Sequence, residues 1–329
     1  MTAAPTPDTQ RSSTDPRLLA TIVAVAAGAA AAALHHVTGM FWGDLGAYRA
    51  GAVAAGAGEL YQAVHHTPDG TALGFTYPPF AALLLRPFAV AGHLHIVAGI
   101  KLTPLIFVGY LVLTGRWRAA GIAVAAFAAT IGLGFAWRPA DSARFWSGGL
   151  LDTTRVTGDP RTILNQSLSG AVTRIADDPQ PGLAWLIVAA LAGAAGMAVA
   201  VAYHRAGDEL AAVLACAATG LLISPVSWHH HWVWWVPALL LLARHAREHR
   251  DRGATITAMV VWVTLVASTS WVLASPGGWD LRFTGLGLVY SNLYVLLALT
   301  GLGAAAWRLY RDRSAAADDR RYAVARVHS

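Results

Sequence analysis

The run LLATIVAVAAGAAAAALH, residues 18–35, is followed shortly by FWGDLGAYRAGAVAAGAGELYQAVHH, residues 41–66. The first stretch is uncharged and long enough to cross a hydrocarbon core of ~30 Å. It exceeds the apolar region of a signal peptide and is read as an uncleaved anchor, with a cleaved signal as the competing reading. The second stretch carries Asp44, Tyr48, Arg49, Glu59, Tyr61, His65 and His66. The junction decides the fold: an anchor delivers a polar, helix-forming loop to one face of a bilayer.

The rest of the chain repeats this pattern. Of 329 residues, 56% are hydrophobic and only 13% charged, against about 25% charged in soluble domains. Mean hydropathy is +0.48. Apolar runs recur near 95–115, 119–136, 183–203, 209–226, 231–243, 254–274 and 286–307. A further piece, 80–92, is apolar but broken by Arg86-Pro87, and is read as re-entrant. Basic clusters at Arg116/Arg118, His204/Arg205, Arg244 to Arg252 and from Arg308 onward fall between the runs. Placing all of them on the cytoplasmic side satisfies the positive-inside rule and gives about eight crossings, both termini inside. Residues 41–79, 137–182, 227–231 and 275–285 then share the outer face.

The expected class is therefore an all-α polytopic protein of the plasma (inner) membrane, with about 8–10 membrane segments and short amphipathic helices in its outer loops. Residues 1–16, rich in Pro, Thr, Ser and Asp, read as a disordered cytoplasmic segment. Residues 17–307 read as one membrane domain and 308–329 as a basic cytoplasmic tail. The net charge of +6 reads as topology, so no nucleic-acid partner is expected. Cys216 is the only cysteine, which excludes disulfides and paired-cysteine metal or redox chemistry. The absence of an internal repeat argues against a transporter built from inverted repeats. No phosphate-binding glycine loop, dinucleotide fingerprint, nucleophile elbow or zinc-protease motif stands in a supporting context.

Four polar constellations remain. The spacing predicts an amphipathic helix from near Asp44 to the Gly56/Gly58 pair, with Tyr48 four residues on and on the same face. Asp44 is suited to cap that helix or to act as a general base on a hydroxyl. In GFTYPPFAALLLRPFA, residues 74–89, Tyr77 precedes two prolines; it is either a plain turn at the interface or a side chain presented to the Asp44 loop. The outer loop holds Arg138, Arg144, Arg155 and Arg161, then NQSLSGAVTR from Asn165 to Arg174. Arginine forks suit phosphate and carboxylate oxygens. Finally LLISPVSWHHHWVWW, residues 221–235, places His229, His230 and His231 at the end of an apolar run. Consecutive histidines cannot share one helical face, so a three-histidine metal centre is not expected and no metal is assigned. The tryptophans read as an interfacial belt.

In order, D-x-x-x-Y, YPP-F, NQS-L-x-G-x-x-x-R and SP-x-SW-x-HH-W resemble the polyprenol-phosphate-sugar-dependent glycosyltransferases of actinobacteria, glycosyltransferase family 87. The family includes α-(1→2)-mannosyltransferases of the PimE type and related arabinofuranosyltransferases, and the resemblance covers roughly residues 18–307. It implies the GT-C architecture, a helical membrane bundle with its active site on the outer face. Matched motif by motif, it implies Asp44 as the catalytic residue. Tyr48, Arg49, Tyr77, Asn165, Gln166, Arg174, His230 and His231 are the expected substrate-binding residues.

The resemblance further implies a polyprenyl-phosphate-mannose donor as substrate, no cofactor, and a glycolipid or lipoglycan acceptor among membrane lipids. Three alternatives stay open: a decaprenyl-phosphate-arabinose donor, a flippase or transporter for a polar lipid, and a non-catalytic scaffold. Most polar clusters sit at span ends on one side, which favours an enzyme at the interface over a transporter, whose charges would lie mid-span.

Overall fold

The computed structural model describes residues 43–66, 72–91, 105–149, 159–180, 182–274 and 284–327. The anchor expected at 18–35, the N-terminal segment 1–16 and most of the outer stretch 275–285 lie outside the described residues. Helix α1, Gly43–Ala57, matches the helix expected from the Asp44 region and ends where Gly58 takes φ +92°. The chain then makes a short antiparallel hairpin, β1 (Val64–His66) against β2 (Ala72–Gly74), with His65 opposite Leu73. These two three-residue strands are the departure from the all-α expectation.

Helix α2 is Pro79–Ala91. Proline at its first position loses nothing, because that N–H has no partner inside a helix anyway. The expected break at Arg86-Pro87 does not occur. One helix runs through Pro87 and forgoes a single backbone bond. Its 13 residues span roughly 20 Å, short of a full crossing. Helices α1 and α2 and the hairpin share a core of Tyr48, Ala52, Ala55, Leu60, Phe75, Ala81, Ala82 and Leu85.

Helices α3 (Leu105–Leu113) and α4 (Trp117–Trp137) follow, then α5 (Pro139–Arg144), which widens into a turn over Phe145–Gly149. Next come α6 (Leu168–Ala176), α7 (Gly182–Arg205) and α8 (Glu209–Ile223). A 3₁₀ turn, His229–Trp234, leads into α9 (Trp235–Glu248) and α10 (Arg252–Ala274); α11 (Leu286–Ser291) and α12 (Leu293–Val327) complete the described chain. The segment expected as a separate tail from Arg308 begins inside α12.

Among the described residues, three helices are long and apolar enough to cross a membrane: Trp117–Trp137, Gly182–Arg205 and Leu293–Ala315. Their outward side chains are apolar, with Ile122 65%, Leu183 70% and Leu191 67% exposed. Helices that turn such residues away from their own core require lipid around them. The expected helical membrane class is borne out.

Two contacts set the bundle. Helix α7 meets α8 along Gly196, Ala200, Ala212, Ala215, Cys216 and Thr219, all buried. A Cβ at Gly196 would fall on the Thr219 hydroxyl, so only glycine lets the backbones approach this closely. At the end of the bundle expected inside, Glu209 accepts from Arg116 at 2.6 Å and from the Tyr110 hydroxyl at 3.0 Å. His204 Nδ1 lies 2.8 Å from the same carboxylate. That cluster ties α3, α7 and α8 together through residues whose charge had suggested only sidedness.

Gly196→Val lowers the melting temperature of detergent-solubilised protein, with a stability loss on the order of 1–3 kcal/mol from overpacking. Gly109→Ala, where nothing lies within 4 Å, does not lower it in the same measurement, since alanine favours the helix.

Candidate active site

Two groups of the expected residues are brought together by the fold. The first lies on α1 and the turn into α2. Asp44 belongs to the first turn of α1, and its side chain lies outside the described residues. One turn later Tyr48 is 8% exposed. Its hydroxyl sits 2.7 Å from that of Tyr77, with the rings edge to face at 5.1 Å. Pro78 denies Tyr77 a helical backbone, which fixes the ring ahead of α2. The Tyr61 hydroxyl donates to the Tyr77 carbonyl at 2.8 Å and secures the turn. Spacing of four places Asp44 and Tyr48 on one face of α1. Arg49, the next residue, is exposed.

The second group is a buried lock. Ser167 caps α6 by accepting the Gly170 N–H at 3.2 Å. Asn165 forms an isolated antiparallel bridge with Trp228. Its Oδ1 accepts the Ser227 N–H at 3.1 Å, and its Nδ2 donates to the Pro225 carbonyl at 3.3 Å. The Gln166 N–H donates to the Ser227 carbonyl at 2.6 Å. Gln166 Nε2 donates at 2.7 Å to the carbonyls of both Ile163 and Ser291, while Oε1 accepts the Tyr294 N–H at 3.3 Å. The two motifs NQS and SP-x-SW are therefore one structure, laced edge to edge.

Arg174 completes it. Its guanidinium donates to the Thr162 carbonyl at 2.8 Å, the Asn165 carbonyl at 3.0 Å and Asn292 Oδ1 at 2.7 Å. It is 3% exposed, and burial pulls it down to about 9, still a cation at neutral pH. A Cβ at Gly170 would fall on the Asn165 carbonyl and approach Arg174 Nη1 to 3.1 Å. The glycine of the motif is thus the space through which the guanidinium reaches its oxygens.

The histidines project from the adjoining 3₁₀ turn, where successive side chains lie about 120° apart. His231 Nδ1 accepts the Trp228 N–H at 3.1 Å. A backbone N–H can only donate, so the neutral imidazole carries its proton on Nε2. His230 is exposed and meets both neighbouring rings edge to face, at 5.2 and 4.7 Å. His229 is held towards its neutral form by burial.

Two of the outer arginines expected to await phosphate have other partners. Arg138 pairs with Asp141 at 2.8 Å, and Arg161 with Asp159 at 2.7 Å and Asp177 at 2.8 Å. The hydrogen bonds from Arg161 hold the Asp159 carboxyl below its usual range. Arg144 is exposed, and Arg155 lies outside the described residues. Nor is every tryptophan part of a surface belt. Trp232 is 3% exposed and its Nε1 donates to the Gln166 carbonyl at 3.1 Å. Reading for charge and aromatics passes over Asn292, yet an amide inside an apolar run is the signal that would find it, because burying one demands a partner. Among the described residues, no group of three His, Cys, Asp or Glu side chains is spaced to hold a metal ion.

Residues 93–225 match the model of glycosyltransferase family 87. The chain is 35% identical over 226 residues to a polyprenol-phosphate-mannose-dependent alpha-(1-2)-phosphatidylinositol pentamannoside mannosyltransferase of Mycobacterium tuberculosis (strain CDC 1551 / Oshkosh), covering 66% of this chain and 51% of that one. It is 41% identical over 147 residues to a polyprenol-phosphate-mannose-dependent alpha-(1-2)-phosphatidylinositol mannoside mannosyltransferase of the H37Rv strain, covering 44% and 34%. It is 32% identical over 220 residues to a pentamannoside enzyme of Mycolicibacterium smegmatis, covering 63% and 51%. The chain spans about half the length, or less, of the curated relatives it matches. No solved structure matches it. The resemblance to family 87 is borne out. The matched span holds the NQS…R motif and reaches Pro225, whereas Asp44 and Tyr77 precede it and His230 follows it.

Arg174→Ala leaves buried carbonyls without a donor and lowers stability by on the order of 3 kcal/mol, read from thermal melts in detergent. Arg174→Lys does not restore it, since one ammonium cannot span three acceptors as a planar fork does. A lysine variant that melts like the parent would show the fork to be dispensable.

Proposed function

We propose that this chain, 35% identical over 226 residues to a mannosyltransferase of the type named above, transfers mannose from polyprenyl-phosphate-mannose to a phosphatidylinositol mannoside. That identity is the observation that carries the reading, and the names of all the relatives compared favour mannose over arabinose as the sugar. The reaction is placed on the outer face of the plasma membrane, where the lock and the Tyr48–Tyr77 pair belong by the distribution of basic residues.

In this reading Asp44 takes the proton of an acceptor hydroxyl as that oxygen attacks the anomeric carbon from the face opposite the phosphate. The product is an inverted, α-(1→2)-linked mannoside. An aspartate of ordinary pKa (~4) is a weak base for an alcohol, so the proton moves as the C–O bond forms. Tyr48 and Tyr77, whose hydroxyls already share a proton position, orient the acceptor beside Asp44, and Arg49 lies one residue on at the exposed edge. The leaving group is a lipid phosphate monoester gaining charge. His231 offers its Nε2–H and His230 an exposed ring to meet that charge. Asn165, Gln166 and Arg174 act on the substrate through the turn they hold in place.

Purified protein in membranes, given radiolabelled polyprenyl-phosphate-mannose and a phosphatidylinositol mannoside, moves label to the glycolipid. Asp44→Asn lowers the rate by about 10² or more. Undiminished transfer by that variant removes Asp44 as the base. Absence of transfer from the mannose donor by folded wild type overturns the proposal.

A further inference from the structure

The end of the bundle that holds the lock also contains buried polar atoms that the protein does not satisfy. Trp185 Nε1, Trp235 Nε1 and His229 Nδ1 are enclosed and have no hydrogen-bond partner. Native proteins rarely leave such groups unpaired, and several together call for an explanation. They come from three elements: Trp185 from the first turn of α7, Trp235 from the start of α9, and His229 from the start of the 3₁₀ turn. Trp185 and Trp235 pack against one cluster, formed by Leu168, Ala171, Leu221, Leu222, Trp232 and Tyr294 among others. Trp235 also stacks on Trp232, with ring centroids 6.1 Å apart.

The chemistry of the set narrows its ligand. An indole N–H only donates, so a ligand here must supply acceptors. Neither indole carries charge, and burial favours the neutral form of His229. A phosphate would ask for cations, and the buried cation close by, Arg174, is turned to the Thr162 and Asn165 carbonyls and Asn292. Neutral donors set among flat aromatic rings suit a pyranose instead. Its hydroxyl oxygens accept from the N–H groups while its C–H faces lie on the indoles.

We propose that Trp185, Trp235 and His229 form a saccharide subsite that holds a hexopyranose of the lipid-linked substrate. That the hexose is mannose rests on the proposed function; the subsite itself does not. The ring belongs either to the acceptor glycolipid or to the donor, and kinetics separate the two.

The test uses the full chain in nanodiscs, with W185F, W235F and His229→Ala beside wild type. Phenylalanine keeps an aromatic ring on the cluster and deletes the N–H. Methyl α-mannoside is titrated by calorimetry, and KM is measured separately for the polyprenyl-phosphate-mannose donor and the phosphatidylinositol mannoside acceptor. Wild type binds the methyl mannoside saturably. Each variant weakens that binding by about 5–10-fold, the worth of one hydrogen bond, and raises KM for one of the two lipids while kcat holds. No saturable binding by wild type overturns the subsite, as does unchanged binding in all three variants. A fall in affinity for both lipids together with a lower melting temperature assigns the residues to packing alone, and also overturns it. If the protein transfers no sugar at all, the proposed function fails while the calorimetric arm still decides the subsite.

Discussion

A buried guanidinium with no carboxylate beside it among the described residues must collect its oxygens from neutral groups, and those groups must be carried to it. Arg174 does this with the backbone of residues 162–165 and the amide of Asn292. The first lies ahead of α6 and the second stands at the joint between α11 and α12. A cation that cannot be released to water without unmaking these contacts fixes how the chain is folded back at this end. Gln166 repeats the tie through Ser291 and Tyr294. Asn165 extends it to the Pro225–Trp228 segment. Three segments far apart in sequence thus become one floor, and the histidine turn rises directly from its edge.

This arrangement divides the labour among polar residues that look alike in a sequence. Asn165, Gln166 and Arg174 are enclosed and occupied with one another. His230 stands outside, and His231 has one nitrogen committed to the backbone, which decides what the other can offer. On α1 the division is similar. Tyr48 and Tyr77 are braced by each other and by Tyr61, while Arg49 is left at the surface. The opposite end of the bundle has its own fastening in Glu209, Arg116, Tyr110 and His204. It is partly solvated, with Arg116 41% exposed, and is correspondingly weaker than an enclosed tie.

Much of the fold was readable because membrane helices announce themselves by composition. The runs read near 119–136 and 183–203 fall almost residue for residue on α4 and α7, and the paired glycines marked the end of α1. Strands of three residues, such as β1 and β2, carry no usable periodicity, so the hairpin left no trace. The Arg86-Pro87 pair suggested a break, but one lost backbone bond is affordable in a short helix that packs along α1. The candidate site was legible as a list of residues and not as roles. Motif order singled out Asn165, Gln166, Arg174 and the histidines, and the fold sets their segments side by side. Burial is a property of the whole packing, however, and spacing along one chain could not tell Arg138 and Arg161, matched to nearby aspartates, from arginines free for a ligand. Nor could it show that Trp232 faces inward with a bond to make.

The seam between α7 and α8 bears on traffic through the membrane. Glycine and alanine bring the two backbones so close that Thr219 fills the space opposite Gly196. No hydrocarbon chain can thread such a gap. On the proposed function, a long isoprenoid tail whose headgroup reaches the lock would have to run along some other flank of the bundle. The large apolar side chains that α7 turns outward at Leu183 and Leu191 offer one such wall. The same small residues that hold the pillar together thereby limit the direction from which a lipid can dock.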